Sequence, residues 1–391
     1  MLDISKLIIE MLSPKGTVLF YLTGNSSSFL HHYLVVILCV LLTLCVGHVA
    51  ALDFTNSKWI WTSAAGSSSV PALATADFRQ DFTAPFGKTP VSANIIIAAD
   101  NNYTLYVNGE FIGRGYDFQQ SQSYCVKLEP FCDNVFAVAV QNQGTTPNPA
   151  AFITAINVTY NDDTSTIIVS DASWRANSDT AGFESADFDD STWPYAVVVG
   201  NANSAPWGVP SPPPSDSTLS LTDSYWLWNN QVPAGSPTSS APAGTFAFRK
   251  TYKVSGGSLV QSGTIIIDAD NGYTLYINGN EIGSGDNWPQ AQRWTFTLDP
   301  TDEIVLAITA TNTAGPAGFI VAVAFDAYYR DCSCTLVEVT DGTPDGTWKF
   351  NLGVPVGFQQ PGYDDSSWPS TIVEGPYGVA PWNSVPIVNG N

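Results

Sequence analysis

The dipeptide Asp-Asn occurs twice in nearly the same surroundings. Asp100-Asn101 opens "DNNYTLYVNGEFIG" (residues 100–113), and Asp270-Asn271 opens "DNGYTLYINGNEIG" (270–283), with ten of fourteen positions identical. An adjacent carboxylate and carboxamide present oxygen donors of the kind calcium takes, six to eight at a time and in flexible geometry. The same side chains also hydrogen-bond local backbone and so cap turns. An EF-hand is excluded. "DADNG" (268–272) lacks the later bidentate Glu, and Ala98 stands in the first copy where the second has Asp268.

Two adjacent carboxylate pairs offer a rival chemistry. Asp189-Asp190 lies in "FDDSTWP" (188–194) and Asp364-Asp365 in "YDDSSWP" (363–369). A glycosidase needs two carboxylates facing each other across a sugar ring. Neighbours on one turn do not achieve that, so both pairs are expected to be turns that deliver Trp193 and Trp368 to a core. The histidines are His31, His32 and His48. If the leader described below is removed, the mature chain has none, which excludes Ser-His-Asp and Cys-His catalysis and metal sites built on imidazole.

The run "YLVVILCVLLTLCV" (33–46) is uncharged and is followed by "GHVAALDF", with small residues at Val49 and Ala51. Its length suits a signal-peptide core, and cleavage is expected near Ala51. An uncleaved type II anchor is the alternative. A secreted, extracellular chain is therefore expected. Cys39 and Cys45 leave with the leader, and Cys125, Cys132, Cys332 and Cys334 remain, an even number consistent with disulfides. Cys125 and Cys132 flank "VKLEPF", where a local bridge would contribute about 2–3 kcal/mol. A bridge within Cys332-Ser333-Cys334 would be strained, and pairing with another chain is open. Asn102-Tyr103-Thr104 and Asn157-Val158-Thr159 are glycosylation sequons. A glycan on Asn102 would crowd the first Asp-Asn site, whereas the second copy has Gly272 there.

The elements that position these groups are themselves repeated. "KWIW" (58–61) returns as "YWLW" (225–228), "FRQDF" (78–82) as "FRKTY" (248–252), "ANIIIAAD" (93–100) as "GTIIIDAD" (263–270), and "APWG" (205–208) as "APWN" (380–383). Trp59, Trp61, Trp174, Trp193 and Trp207 recur as Trp226, Trp228, Trp348, Trp368 and Trp382, and read as core anchors. The order is constant, so these are tandem domains rather than a short-period solenoid. We divide the chain into a leader (1–51), module 1 (52–208), a Pro/Ser-rich semi-rigid linker (209–224) and module 2 (225–391). Within a copy the periodicity is two, Asn108-Gly109 is a tight-hairpin signal, and no helical period follows residue 52. The expected fold is all-β: two antiparallel β-sandwiches of jelly-roll type.

The series W-x-W, FR-x-x-F, "AADNNYTLYVNG", "FDDSTWP" and "APWG" resembles galactose-binding-like β-sandwich modules. It is similar in particular to the non-catalytic modules of α-L-rhamnosidases, including their calcium-dependent rhamnose-binding module. That resemblance covers both copies. It implies that Asp100-Asn101 and Asp270-Asn271 hold calcium, with sugar hydroxyls completing its shell. It also implies Asn142 and Asn312, each 41 residues further on, as additional ligands. Phe118 and Trp288, at matching positions after the hairpins, are the aromatics expected near a bound sugar. Three readings of the Asp-Asn pair stay open: calcium that bridges to sugar, structural calcium, and a plain turn.

The relatives that hydrolyse rhamnosides use a separate helical-barrel domain, which this periodicity does not provide. A lectin-like, carbohydrate-binding protein without catalysis is therefore expected. A structural cell-wall protein is the first alternative, and a glycoside hydrolase or its accessory module the second. With 35 acidic against 14 basic residues and a net charge of −21, the chain would repel nucleic-acid phosphates.

Overall fold

A computed structural model of the chain describes residues 7–13, 16–22, 52–340 and 348–390. The chain divides into two compact units, Met1–Ala51 and Leu52–Asn391. In the first, strands β1 (Leu7–Ser13) and β2 (Gly16–Leu22) pair antiparallel. The expected leader core (33–46) and the cleavage site at Ala51 lie outside the described residues. Among the described residues no helix is long and apolar enough to cross a membrane.

The second unit contains one architecture built twice. Module 1 consists of β3 (Lys58–Trp61), β4 (Thr75–Phe82), β5 (Pro90–Asp100), β6 (Asn102–Val107), β7 (Glu110–Gly115), β8 (Gln122–Lys127), β9 (Asn134–Gln141), β10 (Ala151–Tyr160), β11 (Ser165–Val169), β12 (Arg175–Asn177) and β13 (Val197–Asn201). One sheet runs β13-β3-β10-β5-β8, with β11 also on β10. The other runs β12-β4-β9-β6-β7.

Module 2 consists of β14 (Tyr225–Trp228), β15 (Gly244–Lys253), β16 (Leu259–Asp270), β17 (Gly272–Ile277), β18 (Asn280–Gly285), β19 (Ala291–Thr301), β20 (Glu303–Asn312), β21 (Gly318–Tyr329), β22 (Cys332–Val339), β23 (Lys349–Asn351), β24 (Ile372–Pro376) and β25 (Ile387–Asn389). Its sheets run β24-β14-β21-β16-β19-β25, with β22 on β21, and β23-β15-β20-β17-β18. Apart from the added β25, the two modules have the same strand order.

Each pair of sheets closes on a core drawn from both. In module 2, Ile265, Ile267 and Ala269 of β16 meet Phe248 of β15, Leu275 of β17 and Ile308 of β20. In module 1, Ile95, Ile97 and Ala99 meet Phe78, Leu105 and Val138. Alternation explains the inward set: β6 and β17 both bury every second residue. The β5 and β16 strands are buried on both faces because further chain covers their outer side. Ile96 and Ala98 pack there with Phe54, Trp59 and Trp207, and Ile266 packs with Leu219, Trp226 and Trp382.

The Asn-Gly signals form the expected hairpins. Both residues of each turn have positive φ, 54° and 84° at Asn108-Gly109 and 46° and 84° at Asn278-Gly279. Such values match the right-handed twist of the flanking strands. Each asparagine also ties its turn to the next strand, since Asn108 Oδ1 accepts from the Val135 amide at 2.8 Å and Asn278 Oδ1 from the Val305 amide at 2.7 Å.

One expectation is corrected here. Cys125 bonds Cys332, 207 residues away, while Cys132 is a free, exposed thiol and Cys334 is free and half-buried. The local Cys125–Cys132 staple is therefore not formed. The bridge instead joins β8 of module 1 to β22 of module 2. Around it Asn94 Nδ2 donates to the Ser333 carbonyl at 3.1 Å, and the Lys127 amide to the Gly256 carbonyl at 2.7 Å. Local sequence spacing could not show that the β22 edge lies against β8.

Segment 209–224 is tied to both modules. Leu219 and Leu221 are buried against the outer face of module 2. The Ser121 amide donates to the Ser211 carbonyl at 3.1 Å. Arg293 also clamps the segment, with Nη1 on the Asp216 carbonyl at 2.7 Å and Nη2 on the Leu219 carbonyl at 3.0 Å.

Glu374 on β24 is 2% exposed, and neither carboxylate oxygen has a hydrogen-bond partner. Burial pushes its carboxyl up to about 7, offset only in part by the nearby Ser236 backbone amide. The unfolded chain titrates near 4.5, so over about pH 4.5–7 the folded state holds the proton more tightly. Folding stability should therefore fall as pH rises through that window. The loss should be on the order of 2–3 kcal/mol at neutral pH. In chelator, Glu374→Gln should be more stable than wild type at pH 8 and equal to it at pH 4. Parallel urea-midpoint profiles for the two proteins would refute the assignment.

Candidate functional site

The repeated Asp-Asn does not begin a strand. Asp100 and Asp270 are the last residues of β5 and β16, and Asn101 and Asn271 form the corner into β6 and β17. Both Asp-Asn peptide bonds are cis. The corner lies beside the end of the next strand in the second sheet. The Asn101 amide donates to the Gln141 carbonyl at 3.3 Å, and Asn101 Oδ1 accepts from the Gln143 amide at 2.5 Å. In module 2, Asn271 Oδ1 accepts from Thr313, from the amide at 2.6 Å and from Oγ1 at 2.8 Å. These bonds bring Asp-Asn to the strand ends that carry Asn142 and Asn312.

Asn142 and Asn312 are fully buried, and their orientation is forced. Asn142 Nδ2 donates to the carbonyls of Val70 and Pro71, each at 3.0 Å. Asn312 Nδ2 donates to those of Ala241 at 2.9 Å and Pro242 at 3.2 Å. Only the NH2 end of an amide can face two carbonyl oxygens. Oδ1 of each residue therefore points the other way, where it is buried without a hydrogen-bond partner. Leaving such an acceptor unmatched costs about 1–3 kcal/mol, and both modules do so at the same place.

The carboxylates are held with equal care. Asp100 Oδ2 accepts from Trp207 Nε1 at 2.8 Å, and Asp270 Oδ2 from Trp382 Nε1 at 3.0 Å. Burial raises both carboxyls above the ordinary range, and the indole hydrogen bond lowers them in part. These tryptophans are more than core anchors. Trp207 stacks on Trp59 at 5.1 Å, and Trp382 on Trp226 at 4.4 Å. The W-x-W and APW motifs are thus two halves of one clamp on the aspartate. Their constant order in both copies was the available signal, but nothing in it tied the indole to the carboxylate.

In each module the buried carboxylate has one oxygen committed to an indole, Oδ1 of Asn101 or Asn271 is engaged by Gln143 or Thr313, and Oδ1 of Asn142 or Asn312 is unmatched. Carboxylate and amide oxygens are donors of the kind calcium takes. Among the described residues no group of three or more His, Cys, Asp or Glu side chains is placed to hold a metal ion.

Phe118 and Trp288 are half-buried in the loops after β7 and β18. Each packs on the outer cluster that contains its module's clamping tryptophan, Trp207 or Trp382. Asn102 and Asn157 are half-buried residues of β6 and β10. Asn102 lines a groove of about 410 Å³ on the second sheet of module 1, together with Thr75, Asp77, Thr104, Arg114 and Tyr116.

The carboxylate pairs are structural. Asp190 Oδ2 accepts from buried Arg79 Nε at 3.1 Å and Asp365 Oδ2 from buried Arg249 Nε at 2.8 Å, while Asp189 and Asp364 cap their turns through the amides of Ser191 and Ser366. Trp193 and Trp368 are buried, as expected of turns that deliver them to a core.

Asp268, one strand period before Asp270, was not among the expected ligands. It is 2% exposed, and its Oδ2 has no hydrogen-bond partner. Burial pushes its carboxyl up to about 8, with the charge of Asp270 adding to the effect.

No protein-family model matches the chain. An alpha-L-rhamnosidase of Streptomyces avermitilis is 31% identical over 209 residues, which is 50% of this chain and 18% of the enzyme. The chain thus spans under one fifth of that relative. Among solved structures, a lectin from Pleurotus ostreatus in complex with GalNAc is 37% identical, covering 87% of this chain and 96% of that one, at a TM-score of 0.41. The S. avermitilis alpha-L-rhamnosidase complexed with L-rhamnose is 20% identical, covering 87% of this chain and 33% of the enzyme, at a TM-score of 0.36. The chain is similar to rhamnosidase non-catalytic modules and to a lectin.

Proposed function

We propose that the chain is a carbohydrate-binding, lectin-like protein without catalysis, in which each module holds a calcium ion that coordinates sugar hydroxyls. The observation that carries this reading is the orphaned oxygen of Asn142 and of Asn312. In both modules a buried amide is turned so that its oxygen has no hydrogen-bond partner, beside an Asp-Asn corner. A turn cap does not require that arrangement, and a cation would use it. A vicinal diol can replace two waters on such an ion, so the ion and its neighbours would select which hydroxyls are accepted.

In this reading Asp100, Asn101 and Asn142 hold the ion in module 1, and Asp270, Asn271 and Asn312 hold it in module 2. Phe118 and Trp288 flank the ion and offer a face to the sugar ring. The carboxylate pairs that a glycosidase would need are engaged by Arg79 and Arg249, which favours binding over hydrolysis. Export through a cleaved leader, with glycans at Asn102 and Asn157, completes the proposal, and the Asn102 glycan would crowd the module 1 site and leave module 2 the stronger binder.

The test is a glycan array run on residues 52–391 in calcium and again in chelator, with GalNAc- and L-rhamnose-bearing glycans included. Binding in calcium that disappears in chelator is expected. Binding that persists unchanged in chelator removes the bridging ion from the reading. No binding in either condition overturns the lectin assignment and leaves a scaffold role.

A further inference from the structure

The two modules share a strand order, a clamp and an Asp-Asn-Asn set, yet one buried position on the site strand differs in kind. In module 1 it is Ala98, fully buried and paired with Ile153 on β10. In module 2 it is Asp268, at the same register against Ile320 on β21. Alternation along β16 sends Ile265, Ile267 and Ala269 into the core between the sheets. Ile266, Asp268 and Asp270 therefore share the outer face.

That face is apolar around the acid. Ile266, Ala291, Ile320 and Trp382 form one cluster there, with Trp288 at its edge. No cation pairs with Asp268 among the described residues. Arg293, across from Ile266 on β19, has its guanidinium turned to the 209–224 segment instead. The fold does not need a carboxyl here, because module 1 builds the same strand with a methyl group. An acid in such a place lowers stability, because a polar atom is left unmatched on burial. Such a group persists where something outside the folded chain completes it.

We infer that Asp268 is a sugar-reading residue of module 2, accepting a hydrogen bond from a hydroxyl of the saccharide held at the Asp270 ion. Module 1, with Ala98, lacks that bond and binds the same saccharide more weakly. This rests on the calcium-bridged reading above and adds the reason that the duplicated sites are unequal. The partner chemistry is a hydroxyl donor beside the diol on the ion, with Trp288 closing the same side. Losing a buried hydrogen bond between a hydroxyl and a carboxyl oxygen should lower affinity by about 10- to 100-fold.

The experiment uses residues 52–391 as wild type, Asp268→Ala and Asp268→Asn, with Asn142→Ala in every background to silence module 1. Calcium alone is titrated first by calorimetry. GalNAc and L-rhamnose are then titrated at saturating calcium. The expected result is sugar affinity at least 10-fold lower for Asp268→Ala, with calcium affinity within twofold of the parent. Asp268→Asn preserves the shape if the alanine variant does not fold, and it should lose at least threefold. Equal sugar affinity in parent and variants overturns this inference alone. A parallel loss of calcium affinity also overturns it, by making Asp268 an ion ligand. A parent that binds calcium but neither sugar overturns the inference together with the sugar half of the function. A parent that binds neither calcium nor sugar overturns the whole site.

Discussion

Asp270→Asn is expected to remove calcium-dependent stabilisation from module 2 while leaving the fold intact. Asp270 is the one anionic side chain in the set Asp270, Asn271 and Asn312, and calcium affinity follows ligand charge. Losing it should weaken binding by about 100-fold or more. An ion present at about 100 times its dissociation constant stabilises a protein by about 2.7 kcal/mol, and that contribution should disappear from module 2.

Asparagine is preferable to alanine here because its oxygen still accepts the Trp382 Nε1 hydrogen bond that now runs to Asp270 at 3.0 Å. In chelator the sign should reverse. Burial disfavours the carboxylate charge, so the variant should then be at least as stable as wild type. Thermal scans of both proteins in calcium and in chelator give four melting temperatures. An equal calcium shift in wild type and in Asp270→Asn would mean that the corner is only a turn.

Arg249→Ala should have the largest effect on stability. Arg249 is 2% exposed, and its guanidinium makes four contacts with one excursion of the chain: Asp365 Oδ2 at 2.8 Å and the carbonyls of Phe358 at 3.0 Å, Gln360 at 3.2 Å and Tyr363 at 3.5 Å. That excursion carries Phe358 and Trp368 onto the outside of the second sheet, over Ala247, Val305 and Ala307. Truncation takes this donor from the carbonyls of Phe358, Gln360 and Tyr363 and leaves the part-buried Asp365 carboxylate with Lys349 Nζ as a partner, at 3.0 Å. Breaking a buried pair from one side costs about 3–5 kcal/mol. For a module of this size that is a fall of roughly 6–20 °C in melting temperature.

Arg249→Lys keeps the charge but not the planar fork, so it should recover only part of the loss. Module 1 repeats the device with Arg79, which reaches Asp190, Phe183, Ser185 and Phe188. A shift under about 2 °C for Arg249→Ala would show that the excursion holds by its aromatic contacts alone, because one kcal/mol corresponds to about 2–4 °C here.

The Arg79 and Arg249 clamps also show where sequence reasoning stops. The FR-x-x-F motif was visible as a repeat, and the Asp-Asp-Ser turns were visible as turns. Their union was not, because 111 and 116 residues separate the partners. The indole grip on Asp100 and Asp270 was hidden in the same way, across 107 and 112 residues.

By itself, the sequence determined whatever depends on short range or on repetition. Period-two alternation in "YTLYV" and "YTLYI" fixed the strands and their buried side. Asn-Gly fixed the hairpins through its tolerance of positive φ. The ordered recurrence of motifs fixed two modules of one design. The resemblance to rhamnosidase sandwich modules directed attention to Asp100-Asn101, Asp270-Asn271, Asn142 and Asn312.

Tertiary structure alone decided which partner each long-range group meets. It turned the amides of Asn142 and Asn312 so that an oxygen is left unmatched, and it buried Asp268 in an apolar patch where Ala98 suffices in the other module. It also sent Cys125 to Cys332 rather than to Cys132, and laid Leu219 and Leu221 on module 2. The physical reason is common to all of these. Backbone preference acts over a few residues, whereas hydrogen-bond satisfaction and burial are settled between elements that meet only when the sheets pack.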